Sequence, residues 1–438
     1  MTDTKLVSQN GIRNNPGLPG RHGMANDTAE QSGYNIHWRR NLAVCFAGSF
    51  SMLIAMTLLL PFLPLYVEEL GAEGHAAVVQ WSGIAYGATF FAAALVAPLW
   101  GRLGDRYGRK LMLERASFGM AICMSLTGMV ESVWQLVLLR LLIGFAGGYS
   151  SGSTILVAMQ TPKERSGWAL GVLSAGITAG SLVGPLLGGL LPPVIGIRAT
   201  FLLSGGVIFL AFLATTFLIK ENPPAPKPVS AAKPKSGWSQ IPDQRPVVAM
   251  LTTGMLLAFA TMSIEPIITV YVQQLVDDQS KVTMVAGVVM SAAALGTILS
   301  SSWLGKLADR VGHWNVVVGA LAISALLLIP QAFVTESWQL IGLRFLMGLA
   351  LGGLLPCITS VIRHNIPDGV GGNVLGLSIS AQYVGQVAGP LAGGFVGGHF
   401  GMRAVFLGTS ALMALGAVYN WIVQSRRARH MLLEAGES

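Results

Sequence analysis

Glu265 is the only carboxylate well inside an apolar stretch of this 438-residue chain. A carboxyl in that setting can load and release a proton or attract a cationic ligand. It lies about 18 residues along its stretch, so an acid wetted at a membrane mouth is the other reading. Pro266 follows and predicts a kink, because proline removes an i→i−4 hydrogen bond. Arg140 and Arg344 also sit inside apolar stretches, where a guanidinium needs acceptors or water. Asp105, Arg106, Arg109 and Lys110 are read as a tight Gly-bounded loop that includes Gly101 and Gly108, with Asp309 and Arg310 in its repeat.

Other chemistry falls away. Gly148-Tyr-Ser-Ser-Gly152 fits the G-x-S-x-G pattern. That pattern needs a strand-to-helix elbow with His and Asp partners, and here it is expected mid-helix in an apolar span. There is no GxxxxGK[ST] phosphate loop, so ATP is not the evident energy source. Cys45, Cys123 and Cys357 have no redox or metal spacing and read as small buried hydrophobes. The chain is therefore expected not to be an enzyme and to hold no metal and no cofactor.

The elements that position these groups follow from composition. Hydrophobic residues make up 52% of the chain and charged residues only 11%, against roughly 25% charged in a soluble domain. A bilayer span takes about 20 apolar residues. Such spans fall near 41–67, 74–101, 111–131, 133–158, 168–190 and 197–219, then near 247–274, 283–304, 315–334, 337–362, 373–396 and 402–424. The fold class is all-α integral membrane with twelve transmembrane helices. The division is a tail at 1–41, a six-helix bundle at 42–219, a Pro-rich linker at 220–246, a second bundle at 247–424 and a tail at 425–438. With the N-terminus inside, 23 of the 28 Lys and Arg fall in cytoplasmic pieces, three fall outside and two lie within helices. That asymmetry obeys the positive-inside rule and puts tails and linker in the cytoplasm. The net charge of +8 is thus a membrane signal, and no nucleic-acid partner is expected.

The chain repeats itself. Trp134 to Gly144 matches Trp338 to Gly348, and Gly101 to Gly108 matches Gly305 to Gly312, both at an offset of 204. Gly180 to Gly189 matches Gly385 to Gly394, and Pro61 and Tyr66 match Pro266 and Tyr271, at 205. Two parallel halves with a site between them are a transporter architecture that rocks one bundle against the other. Gly176, Gly180, Gly184 and Gly188 recur every four residues, as do Gly385, Gly389, Gly393 and Gly397. Such stripes permit close backbone approach, either as ordinary helix packing or as a surface on which the halves slide and seal.

These motifs carry a resemblance to the major facilitator superfamily over residues 38–424. Gly101 to Leu113 resembles its loop 2–3 signature, and Arg140 with Gly144 its helix-4 motif, with Ile143 where glutamine is frequent. Gly180, Gly184, Pro185, Gly188 and Gly189 match its antiporter motif, and Gly385, Gly389, Pro390, Gly393 and Gly394 form the second-half counterpart. Pro61 to Tyr66 resembles the first-helix signature of twelve-helix drug–proton antiporters. The wording around Pro61–Leu70 and Ser166–Leu170 is similar to bacterial MdtG-type multidrug efflux proteins.

The resemblance implies two pseudo-symmetric bundles around a central cavity. It implies that Asp105 latches the cytoplasmic side against a helix N-terminus of the other half, and that Arg140 takes part in proton coupling unless it is a structural arginine. For Arg344 the structural reading is preferred. Cavity candidates by residue type are Met52, Met56, Tyr86, Phe90, Tyr149, Met262, Gln382 and Gln386. The implied function is proton-driven export of amphipathic small molecules or drugs by alternating access, with the proton gradient as energy source. The implied location is the bacterial inner membrane, as a monomer whose partners are substrate, protons and lipid. A carrier for one metabolite and a non-transporting membrane sensor are the alternatives.

Overall fold

The computed structural model describes residues 36–221, 241, 243–367 and 371–436, with side chains omitted at 371–373 and 427–436. Most of the predicted N-terminal tail (1–35), most of the linker (222–240) and the last two residues lie outside the described residues.

Twelve helical rods account for nearly all of the described chain. They are α1 (Trp38–Glu69), α2 (His75–Tyr107), α3 (Arg109–Thr127), α4 (Val133–Gln160), α5 (Lys163–Ile195) and α6 (Ile197–Leu218), followed by α7 (Arg245–Gln273), α8 (Val282–Val311), α9 (His313–Gln331), α10 (Ser337–His364), α11 (Gly371–Phe400) and α12 (Met402–Gly436). Ten are long and apolar enough to cross a membrane by length and composition. The other two are α3 and α11. Lys110, Glu114 and Arg115 crowd the start of α3, and glycines with Gln382 and Gln386 dilute α11. The last helix continues to Gly436, past the predicted end at 424.

Four rods are broken, in two symmetric pairs. A 3-10 turn at Leu60–Phe62 interrupts α1, and another at Glu265–Ile267 interrupts α7. Each contains the proline that cannot donate to the helix ladder. The rod α4 breaks at Gly147–Gly148, and α10 at Gly352–Gly353.

The loop 2–3 expectation needs correcting. Asp105 and Arg106 belong to the last turn of α2, and Arg109 begins α3. Only Gly108 separates the helices, with φ of 95°, and Gly312 does the same for α8 and α9 with φ of 93°. A residue with no Cβ adopts that left-handed region without strain, so one glycine turns the chain. The G-x-S-x-G residues are likewise not mid-helix. Gly148 caps the second piece of α4, and Ser150 lies in that piece's first turn.

Each half has its own apolar core. One runs from Trp38 through Leu136, Leu156 and Phe201 to Ile219, and the other from Ile241 through Ile264, Leu321 and Ile358 to Ala417. The duplication is visible in the packing. Tyr66 donates to the Thr127 carbonyl at 2.6 Å, and Tyr271 to the Gln331 carbonyl at 2.8 Å. A Cβ on Gly144 would fall on the Thr89 carbonyl of α2, and one on Gly348 on the Ala293 carbonyl of α8. Helix 4 of each half therefore lies backbone to backbone on helix 2.

Among the described residues, close backbone contacts between the halves gather at one end. Gly83 of α2 rests on the Pro390 carbonyl of α11, and Gly287 of α8 on the Pro185 carbonyl of α5. Gly394 approaches the Val79 carbonyl, and Gly189 the Thr283 carbonyl. Thr283 donates to Gly189 O at 3.2 Å, Ser291 to Leu182 O at 2.8 Å, and Thr269 to Leu60 O at 3.3 Å. All of these lie on the Gly196 side of the molecule. Toward Gly108 and Gly312, a Cβ on Gly101, Gly167, Gly171 or Gly305 would meet nothing within 4 Å.

Candidate functional site: a charged cluster between the two halves

The break in α7 exposes a carboxylate to the opposite half. Glu265 opens the 3-10 turn and is half-buried. Tyr86 of α2 donates its hydroxyl to Glu265 Oε2 at 3.2 Å. Tyr86 is 4% exposed and lies about 16 Å along α2 from His75, at 1.5 Å per residue. The bond joins two helices of different halves, just inside the seal.

Two buried arginines flank that bond. Arg140 of α4 is 1% exposed and acts electrostatically on Tyr86 and Tyr66. Arg344 of α10 is 6% exposed and faces Glu265 electrostatically. The order is Arg140, Tyr86, Glu265, Arg344, running from the first half into the second. In both arginines Nε and Nη2 have no hydrogen-bond partner among the described residues. Buried donors left unpaired cost about 1–3 kcal/mol each, so the cluster is primed for an acceptor. Phe90, one helical turn beyond Tyr86, packs edge-on against it with ring centroids 5.2 Å apart.

The remaining expected site residues are placed as follows. Asp105 pairs with Arg109 of its own half, and Asp309 lies 3.6 Å from His313 Nε2 in the other. The carboxylate at a helix N-terminus is Glu221, just after α6. Its Oε1 accepts from Arg109 N at 2.8 Å and its Oε2 from Lys110 N at 2.7 Å, where the α3 dipole favours an anion. Arg106 and Arg310 are exposed at the open end.

The glycine stripes separate into two faces. Gly176, Gly180, Gly184 and Gly188 all seat α5 on α1 of the same half, and Gly385, Gly389 and Gly393 seat α11 on α7. The seal between halves is made by the adjoining residues Pro185, Gly189, Pro390 and Gly394. Spacing alone reveals a bare stripe but not which helix covers it.

The cavity candidates divide as well. Met52 and Tyr149 are buried inside the first bundle, where the Tyr149 hydroxyl and Thr215 Oγ1 share a 2.8 Å hydrogen bond. They are core residues. Met56, Phe90, Met262, Gln382 and Gln386 are partly buried, and Met262 of the second half packs on the core of the first. The three cysteines are buried free thiols, as expected from their apolar surroundings.

Sequence reasoning singled out Glu265 and Arg140, preferred a structural reading of Arg344 and took Tyr86 as a cavity wall, and the structure brings the four together. The repeat offers a signal for Arg344, since it mates with Arg140. Nothing in one sequence pairs Tyr86 with a residue 179 positions away.

The comparisons with known proteins agree with this architecture. The family model described as Major Facilitator Superfamily matches residues 45–330 and 279–437. The "Multidrug resistance protein MdtG" of Salmonella typhimurium is 41% identical over 399 residues, covering 91% of this chain and 98% of that protein. The protein of the same name from Salmonella dublin has the same identity and coverage. Among solved structures, a bacterial homolog of the human lysosomal transporter Spinster, inward-facing and unoccupied, superposes with a TM-score of 0.72 at 15% identity, covering 89% of this chain and 98% of that one. The nucleoside transporter NupG superposes with a TM-score of 0.71 at 14% identity, covering 89% and 99%. At those identities the two structures speak to fold alone. The fold, the family model and the end-to-end relatives agree: this chain is a multi-pass membrane protein and belongs to the major facilitator superfamily.

Proposed function

We propose that the chain exports amphipathic small molecules from the cytoplasm by alternating access, driven by inward proton movement. The observation that carries this reading is the Tyr86–Glu265 hydrogen bond across the two halves, with Arg344 beside the carboxylate. The end-to-end likeness to multidrug resistance proteins supports export, and the partly buried Met56, Phe90 and Met262 supply a wall that adapts to varied shapes.

The residues give the cycle its order. The open end carries the basic loops, so it faces the cytoplasm of a bacterial inner membrane. Substrate entering there seats against Glu265 and displaces the Tyr86 hydroxyl, which loosens α2 from α7 and unseals the opposite end. Outside, a proton neutralises Glu265 and the substrate leaves. Return and loss of that proton to the cytoplasm restore the Tyr86 bond. Substrate and proton are antagonists at one carboxylate, a coupling free energy that acts in both directions. Each inward proton brings about 2.3 kcal/mol per 100 mV of membrane potential.

The test is transport of a lipophilic cationic dye into proteoliposomes under an imposed pH gradient. The native protein should concentrate the dye and Glu265→Gln should not. Equal accumulation by both would remove Glu265 from the coupling step, and no accumulation by the native protein would overturn drug–proton antiport.

A further inference from the structure

We infer that the open end carries a binding groove for an anionic phospholipid, set between α1 and α5 of the first half. A cavity of about 540 Å³ lies between the starts of α1 and α5, lined by Trp38, Leu42, Phe46, Trp168 and Val172, with Arg39 and Arg165 at its rim. Trp38 and Trp168 meet edge to face with centroids 6.5 Å apart, and the Arg39 guanidinium carbon sits 5.4 Å from the Trp38 ring.

Three observations select the occupant. First, the charge is unanswered. Neither Arg39 nor Arg165 makes an ion pair among the described residues, and both are exposed. The nearby acid is Glu164 on α5, and Arg40 and Lys163 add further positive charge beside it. Second, the polarity is layered. The arginines sit at the first turns of their helices, and the wall from Leu42 to Phe46 and from Trp168 to Val172 is apolar. Seven residues of helix span about 10 Å, so a phosphate held by the arginines leaves an acyl chain running along the aromatic wall. Tryptophan and arginine at this depth suit the headgroup boundary, and a basic site there draws anionic lipid from the leaflet. Third, the groove lies on the helix that also makes the seal with the other half. On α5, Trp168 follows the same helical stripe as Leu182, Pro185 and Gly189, the residues that touch α8 at the sealed end. When the open end closes, α8 must approach that stripe.

This inference does not depend on proton coupling. The experiment takes the full chain purified from nanodiscs of phosphatidylcholine with about one-fifth phosphatidylglycerol, and counts lipid retained on the folded protein by native mass spectrometry. The native chain should retain one phosphatidylglycerol that Arg39→Gln/Arg165→Gln loses, with the Arg39→Lys/Arg165→Lys variant retaining it. Val172→Trp, which fills the groove and leaves the charge, should lose it too. A thermal melt of each variant confirms folding. Equal retention by all four chains would overturn the site, as would retention of phosphatidylcholine equal to that of phosphatidylglycerol. Loss of an anionic amphipathic dye in the glutamine variant, with no change in lipid, would make the occupant a substrate and overturn the lipid assignment.

Discussion

Glu265 is legible in the sequence because an acid between apolar residues is expensive and seldom accidental. Its partners are not, since Tyr86 and Arg344 come from other helices and, for Tyr86, from the other half. Arg344 is the cation that faces the Glu265 carboxylate, so the two should be energetically coupled. A double-mutant cycle on Glu265→Gln and Arg344→Gln, read by denaturation of detergent-purified protein, should return an interaction of about 0.5–3 kcal/mol. Arg344→Gln alone should cost the most if Glu265 is left charged and unpaired, by about 3–5 kcal/mol, and Glu265→Gln should recover part of it. Additive effects would mean that the two charges ignore each other and that Arg344 is merely structural.

At the scale of elements, the twelve spans were readable from apolar length and the distribution of Lys and Arg, and Pro266 marked the break in α7 correctly. The short connections were misjudged. Gly101–Lys110 reads as a charged loop, yet α2 carries its helix through Asp105 and Arg106 to Tyr107, because one positive-φ glycine suffices to turn. The glycine stripe was visible as a stripe, while its partner α1 emerged only from packing. Glycines that look alike in sequence should therefore behave differently. A Cβ on Gly188 would fall on the Leu58 carbonyl, whereas one on Gly171 meets nothing within 4 Å. Gly188→Ala should destabilise the protein by about 1–3 kcal/mol through overpacking, and Gly171→Ala should be neutral or stabilising by up to about 1 kcal/mol. Thermal denaturation of the two variants checks this, and equal losses would contradict the assignment of the stripe to α1.

For the whole molecule, internal duplication predicted two halves of like packing, and the paired tyrosines, breaks and glycines bear it out. One sequence holds no record of which end is shut, since the same residues serve both states. The structure supplies that. Gln80 Nε2 and His399 Nδ1 lie 3.2 Å apart across the sealed end, while Gly171 and Gly305 face open space at the other. In a background with Cys45, Cys123 and Cys357 replaced, a Gln80→Cys/His399→Cys pair should oxidise readily. A Gly171→Cys/Gly305→Cys pair should stay reduced, and added substrate should reverse the preference. Cross-linking at both ends at once, with or without substrate, would rule out a two-state rocking motion.

If substrate and proton compete for Glu265, as proposed, substrate binding must release protons, and that release can be read directly. Purified protein in weakly buffered detergent solution would be mixed with the dye while the medium pH is followed, across the pH range in which transport is pH-dependent. The native protein should acidify the medium on binding dye, and Glu265→Gln should bind dye without releasing protons. Equal release by both proteins, or dye binding by the native protein with no release at any pH, would contradict it.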